Sequence, residues 1–509
     1  MSKGKLVLLP EPPIEFCHGQ KLINPQDGLS LFGPFSTGNN YHPKNIAIGA
    51  VGTSTGVQQL QNWSRFIQSG FQSKSKLNEL RSWPPFPGFE AAFQSQWADE
   101  AVWSEELDEN ELLHLSENQD PNQRAYEVCN AYLEAIDLRM RGDERVDVIV
   151  CVVPDQVKKN CRIQSRVATS VHSSISKQRI KGRKQGQQEF FGEGFYDAYD
   201  PRQYEYSPDF RRQIKARAMK YRIPIQIILE STLDLVEPVS GARGKKAVPL
   251  SYRTWNLATA ISYKAGAKPW RLATARDGVC YVGIAFRRDP NGDDRSACCA
   301  AQLFLDTGDG VVFQGEYGSW YSPESQQFHL DGQSAEQLLD GVLKTYYGLG
   351  GKPLTEIFLH SRSDISQEEF DGYSAACPKN ARLVGVRVQK DREGLRMFRP
   401  GEFAVLRGTC WQVSDRMGYL WTSGFKPRLA TYDGWETPVP LRIDIQRGDA
   451  DFQQVATDIF GLTKLNYNSC RLGDSQPVTV KFSDAVGEIL VSNPTIPVSE
   501  ILPQFRFYI

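Results

Sequence analysis

The sequence predicts an α/β protein in two parts: a layer built on a parallel sheet, then a second sheet that opens with antiparallel strands. Three observations carry this expectation. Residues 145–153, RVDVIVCVV, form a continuous apolar run that Pro154 closes, the pattern of a strand buried on both faces of a parallel sheet. Residues 44–69, KNIAIGAVGTSTGVQQLQNWSRFIQS, read as a short buried strand, a glycine turn and an amphipathic helix, the unit that opens an α/β layer. From Gly278 onward, VCYVGIAFRR (279–288), ACCAAQLFLD (297–306) and GVVFQGEYGSW (310–320) are successive strands of antiparallel type, with DTGDG as the hairpin turn between the second and third.

Composition sets the scale of the argument. A chain of 509 residues with 40% hydrophobic and 23% charged residues has material for two or three cores and is no disordered tail. Its net charge of −1 gives bulk electrostatics no preference for nucleic acid, so an anion-binding face must come from local segregation of charge. Such segregation is present. From Glu90 to Asp120 there are Asp99, Glu100, Glu105, Glu106, Asp108, Glu109 and Glu111 and no lysine or arginine. From Lys158 to Arg222 the balance reverses, most densely at KQRIKGRK (177–184). The stretch FFGEGFYDAYDPRQYEY (190–206) interleaves rings with charge, which suits either stacking on bases or cover over a core.

The break between the two parts falls near residue 270, giving 1–270 and 271–509. In the second part a helix is expected at about 334–347, TEIFLHSR (355–362) as a buried strand, and SQEE from Ser366 as the capping box of the next helix. Spacing excludes several chemistries. Gly49, Gly52 and Gly56 fit neither a dinucleotide nor a Walker pattern and are read as turn glycines, and in GLGGKP (348–353) Pro353 stands where Ser or Thr would hold magnesium. The ten cysteines form no CxxC pair, and the six histidines are scattered, so neither a zinc site nor a nucleophilic triad is indicated. MSKGKLVLL, followed at once by PEPP, does not read as a secretory signal, and no apolar run approaches membrane-spanning length; the expected location is cytoplasmic.

The stretch from Phe210 to Leu229, FRRQIKARAMKYRIPIQIIL, concentrates the basic chemistry. Arg211, Lys215 and Arg222 recur at helical intervals, and Lys215 lies one turn after Arg211, so those two share a face. The helix should end by Pro224, with residues 223–229 continuing as a buried strand that carries Gln226 near its start. Spacing alone allows a solvated basic face. A basic helix feeding a buried strand is equally how a fixed anion pocket is built.

Arg-x-x-x-Lys, then Gln226, then YKAGAKPWRL (263–272) with Lys264 resembles the MID domain of Argonaute proteins. EFCHGQKLINPQDGLSLFGP near the start, GVCYVGIAFRR, ACCAAQLFLDTGDG, LTKLNYN and the closing QFRFYI are similar to segments of that family in the same order. The chain resembles a short prokaryotic Argonaute: a Rossmann-like MID domain followed by a ribonuclease H-like PIWI domain. The resemblance implies that Arg211, Lys215, Gln226 and Lys264 grip the 5′-phosphate of a guide strand, with Mg²⁺ between that phosphate and the terminal carboxylate of Ile509. Arg211 stands where other members carry tyrosine or histidine, so charge replaces stacking on the first guide base.

Ribonuclease H chemistry needs carboxylates on its first and fourth strands, because two metal ions about 3.5–4 Å apart must share anionic oxygens. The first slot falls on Ala285, with no carboxylate between Val279 and Arg288. The second falls on Ser363, where the family's Arg-Asp-Gly aligns with Arg362-Ser363-Asp364. Neither side chain binds Mg²⁺ as a carboxylate does. Asp364 is expected to assist the start of the next helix. Asp306, Asp309, Glu316 and Asp484, the last resembling the family's final metal ligand, leave open a nuclease with rearranged carboxylates.

The expectation is therefore guide-directed recognition of complementary single-stranded DNA without cleavage, with an RNA guide as in most relatives of this short type, and no enzymatic activity of its own. The resemblance also implies a partner, an APAZ-containing effector carrying a TIR, nuclease or sirtuin-like domain, acting in immunity against plasmids or phage. A scaffold that has lost nucleic-acid binding is the remaining alternative.

Overall fold

The computed structural model describes residues 4–72, 81–168, 204, 206–236, 248–287, 298–304, 310–317, 320–322, 327–432, 434, 436–492 and 501–509. Strand β1 (Lys5–Leu8) opens the chain, and a parallel layer follows. Strand β2 (Ile48–Thr53) is buried at every position, and the Thr53 side chain accepts from Gly56 N to cap helix α1 (Ser54–Phe66). Next come β3 (Trp103–Leu107) and α2 (Pro121–Arg139), the latter capped by Asp120 with proline in its first turn. They lead to β4 (Val148–Val153), again buried throughout. Helix α3 (Phe210–Arg217), β5 (Ile225–Leu229) and α4 (Leu250–Lys264) complete this part. The strand order is β3-β2-β4-β5, parallel at every pairing. The run at 145–153 thus sits inside a parallel sheet, where both faces need apolar cover.

The glycines of the opening unit are not turn glycines. Gly49 and Gly52 lie inside β2 and Gly56 inside α1. A Cβ at Gly49 would come within 2.2 Å of the Trp103 ring, and one at Gly56 within 2.8 Å of Val152. Close approach of neighbouring elements, rather than a bend in the chain, demands them.

The second sheet begins with β6 (Val279–Arg287), β7 (Cys298–Phe304) and β8 (Gly310–Tyr317). Helix α5 (Gly332–Gly348), β9 (Glu356–Ser361), α6 (Gln367–Ala376) and β10 (Arg382–Lys390) follow. Strands β11 (Thr409–Gln412), β12 (Met417–Leu420) and β13 (Leu441–Arg447) precede helices α7 (Phe452–Leu462) and α8 (Val478–Leu490). The order is β1-β11-β12-β13-β10-β9-β6-β7-β8. Strands β8, β7 and β6 form an antiparallel meander, and β9 and β10 add in parallel beside β6. This is the ribonuclease H order, and it makes the sheet mixed where the strand pattern read as antiparallel. The parallel pairings are possible because α5 and α6 supply the crossovers that a hairpin cannot. The capping box read in SQEE is present, with Ser366 and Glu369 exchanging hydrogen bonds with each other's main-chain N–H.

One buried apolar cluster runs from Ile48 and Val150 through Trp255 to Val384 and Ile459, so both sheets share it. Among the described residues, no helix is long and apolar enough to cross a membrane. The DTGDG turn up to Asp309, the KQRIKGRK run and most of 190–206 lie outside the described residues.

Candidate nucleic-acid interface

Helix α3 starts at Asp209, whose side chain accepts from Arg212 N, and packs Phe210 and Ile214 beside Tyr132. A 3₁₀ turn (Ala218–Tyr221) follows, and Arg222 leaves it in the left-handed region at φ 57. That break carries Arg222 out of the helical series, and its side chain is exposed. Lys215, by contrast, is only 5% exposed.

A buried ammonium is costly unless it is partnered. Lys215 Nζ donates to the main-chain oxygen of Tyr508 at 3.2 Å, and Lys264 Nζ, at the last residue of α4, donates to that of Ile509 at 2.5 Å. Two lysines from separate helices thus meet consecutive main-chain oxygens of a buried segment. Lys264 is 1% exposed, and Phe507, Tyr508 and Ile509 are buried with it, as the apolar ending FRFYI suggests. Among the described residues, no Asp or Glu side chain pairs with either lysine.

Titration reflects this crowding. Burial, then Arg211 and Lys264, hold Lys215 well below its ordinary value. Burial, then Arg211, bring Lys264 from 10.5 to about 7. Arg211 is exposed along its side chain, yet the surrounding protein lowers its pKa, with Asp209 and Glu488 opposing the shift; a guanidinium remains charged regardless. Three mutually repelling cations, offset in part by the Ile509 oxygen on Lys264 and by Asp209 and Glu488 near Arg211, form a site whose remaining positive charge an anion would relieve. Gln226 is placed differently. Its Nε2 donates to Ile227 O at 3.0 Å, and among the described residues its buried Oε1 has no partner and no hydrogen bond joins it to the three cations.

The two slots expected for metal ligands lie elsewhere, on β6 and just past β9. Gly283, Ala285 and Arg287 alternate onto one face of β6, and α8 rests on that face. A Cβ at Gly283 would lie 1.9 Å from Thr479 O. Ala285 is 6% exposed, and Ser363, just past β9, is half-buried. Arginines dominate beside them. Arg287 pairs with Asp484 at 3.0 Å and with Glu488 at 3.4 Å, Arg362 pairs with the other oxygen of Asp484, and Arg212 of α3 holds Glu488 at 2.9 Å. Asp484 is therefore neutralised by two guanidinium groups, and Arg212 and Glu488 tie α3 to α8. Among the described residues, no three His, Cys, Asp or Glu side chains gather as a metal site. His360 on β9 is buried, contacts Thr479 Oγ1 at 2.9 Å and is pushed down to about 3 by burial.

Asp364 does not assist α6. It accepts from Gln327 at 2.9 Å, from Gln446 and from Arg387, while Ser366 caps the helix. Arg387 lies opposite Ser361 on the neighbouring strand, and a charge-assisted bond outcompetes a partial charge at a helix end. Asp306, Asp309 and the side chain of Glu316 lie outside the described residues. The arginine cluster escaped sequence reasoning, although its signal is visible: Arg287 follows Ala285 by two positions and Arg362 precedes Ser363.

No protein-family model and no curated protein sequence matches the chain. Solved structures do. Clostridium butyricum Argonaute, bound to a guide DNA (5′ deoxycytidine) and a 19-mer target DNA, matches with a TM-score of 0.60 and 14% identity, covering 96% of this chain and 53% of its own. Aa-Ago with externally bound siRNA matches at 0.54 and 15% identity, covering 96% and 54%. A. aeolicus Argonaute matches at 0.53 and 15% identity, covering 96% and 53%. The chain spans about half the length of these Argonautes. At such identities the likeness is one of fold, and the parallel layer followed by a sheet in ribonuclease H order is an Argonaute-like MID and PIWI architecture.

Proposed function

We propose that the chain anchors the 5′-phosphate of a guide strand at Arg211, Lys215 and Lys264, and presents that guide for pairing with a complementary single strand without cutting it. The observation that carries the reading is the pair of buried lysines that donate to the oxygens of Tyr508 and Ile509, beside a third cation. A terminal phosphate offers charge-assisted bonds to all three. Base pairing then reads sequence while the protein reads backbone, as in other guided systems. The likeness in fold to an Argonaute solved with guide and target supports the assignment. Gln226, with its unmet acceptor on the adjoining strand, is the further candidate from the family pattern.

A divalent ion fits this pocket only together with the phosphate. The hard oxygens at hand are those of Ile509, one already held by Lys264, and three cations surround them, so the phosphate must supply charge first. Ile509 is the residue that would hold such an ion, and the ion would supply charge neutralisation there.

Absence of cleavage rests on Ala285 and Ser363 at the slots and on the arginine pairs that occupy Asp484. A protein that recognises a target without chemistry needs its output elsewhere. We assign that output to a partner of the APAZ-effector type, with a TIR, nuclease or sirtuin-like activity, and the setting to cytoplasmic defence against plasmids or phage with an RNA guide against DNA. The test compares 5′-phosphorylated with 5′-hydroxyl guides, then offers labelled matched target to the loaded protein in Mg²⁺ or Mn²⁺, then isolates the chain from its host. Preference for the phosphate, an intact target and a co-purifying effector are expected. Equal guide affinities sink the pocket assignment, site-specific cutting sinks the inactive reading, and recovery of no second protein sinks the partner.

A further inference from the structure

Beside the segment that carries Tyr508 and Ile509 lies a separate cavity of about 420 Å³, and none of Arg211, Lys215, Lys264 or Ile509 lines it. It is bounded by the end of α4, the starts of β6 and β8, the end of α5 and residues 504–506. Three basic residues, Lys268, Lys352 and Arg506, stand in its wall, and among the described residues no Asp or Glu does. Arg506 Nε is buried and has no hydrogen-bond partner. Lys352 is exposed and forms no ion pair with the described residues, while the Lys268 ammonium lies 5.4 Å from the ring centre of Tyr41. The remaining wall includes the rings of Tyr263 and Tyr346 and the apolar side chains Val311, Leu349 and Leu354. Tyr346 donates its hydroxyl to Lys352 O at 2.8 Å, which fixes that ring against the loop that brings in Lys352.

We infer that this cavity binds a small phosphate-bearing ligand of mononucleotide size, with its phosphate against Arg506 and Lys352 and its base among the tyrosines and aliphatic side chains. The volume lies within the range of small-molecule sites, which are apolar concavities with a few placed polar groups. Arginine is suited to holding the phosphate because its planar fork binds phosphate oxygens in pairs. The aromatic and aliphatic wall favours a nucleotide over a sugar phosphate, since a purine or pyrimidine face gains from ring contact.

The free phosphorylated nucleotide and the end of a nucleic acid share this chemistry, so the experiment separates them. ADP, AMP and adenosine are titrated calorimetrically into the full chain, with and without saturating 5′-phosphorylated guide. ADP and AMP should bind in both cases, ADP more tightly, and adenosine should not. Arg506→Gln and Lys352→Gln should each weaken ADP about tenfold or more, as loss of a charge-assisted phosphate contact requires. Lys352 is exposed, so its variant tests the site with the fold intact, and its guide affinity should equal that of the wild type. No heat with either nucleotide overturns the inference. So does equal binding of adenosine, full displacement of ADP by the guide, or undiminished ADP affinity in both variants. Failure of guide binding alone leaves these nucleotide titrations to be read independently.

Discussion

Raising the pH from about 7 to about 9 should strip the pocket of its preference for a 5′-phosphate. Burial and Arg211 bring Lys264 down to about 7, and Lys215 is held well below 10.5 by the same kind of crowding. A bound dianionic phosphate neutralises that crowding and keeps the ammonium protonated well above its free value. A phosphate monoester has its second pKa near 6, so above neutrality the ligand is already largely dianionic while the lysine titrates. For one group with a free pKa of about 7, the protonated fraction falls from about one half to about one hundredth between pH 7 and 9. Affinity for the phosphate then falls by more than an order of magnitude, about 2 kcal/mol, and Lys215 steepens the fall.

The readout is the ratio of affinities for 5′-phosphorylated and 5′-hydroxyl guides by fluorescence anisotropy, which cancels contacts to the rest of the strand. Calorimetry near pH 8 in two buffers of different ionisation enthalpy should register uptake of about one proton per guide. A ratio that stays level or rises with pH, together with no proton uptake, refutes the argument. The sign for the free protein follows from the same shift. The folded pKa of Lys264 lies below its ordinary 10.5, so the native state binds fewer protons between about pH 7 and 10.5, and its stability rises with pH across that window. Lys264→Met should flatten that rise in thermal melts.

Lys215→Glu should abolish binding of 5′-phosphorylated guide, whereas Lys215→Ala should weaken it by about 1.5–3 kcal/mol with little change for the hydroxyl form; equal loss for both places the lysine elsewhere. Binding should also fall steeply with added salt in filter-binding assays, as counterion release demands. Ala285→Asp buries a carboxylate at a position 6% exposed and should lower stability by about 1–3 kcal/mol, read from a denaturant midpoint. Combined with Ser363→Asp it should still give no cutting in Mg²⁺ or Mn²⁺, because Arg287 and Arg362 keep Asp484; recovered cleavage by the pair would count against that explanation. Gly283→Ala sets a methyl 1.9 Å from Thr479 O, and overpacking of this kind should cost about 1–3 kcal/mol unless α8 moves freely.

What the sequence by itself determined is whatever depends on near neighbours. The apolar run at 145–153 announces β4, because a strand covered on both faces has no polar positions to alternate. SQEE announces the start of α6, because its two hydrogen bonds close within four residues. The basic residues proposed to anchor a guide were legible as a helical pattern with a family resemblance, and Ala285 and Ser363 as positions that carry no carboxylate. Their environments were not. Lys215 meets Tyr508 across 293 positions and Lys264 meets Ile509 across 245. Gly49 is needed by Trp103, Asp364 turns to Arg387, and Asp484 is taken by two arginines. Only the tertiary structure decided these, because periodicity and capping act along the chain, whereas desolvation, ion pairing and close packing depend on which distant groups folding brings within a few ångströms.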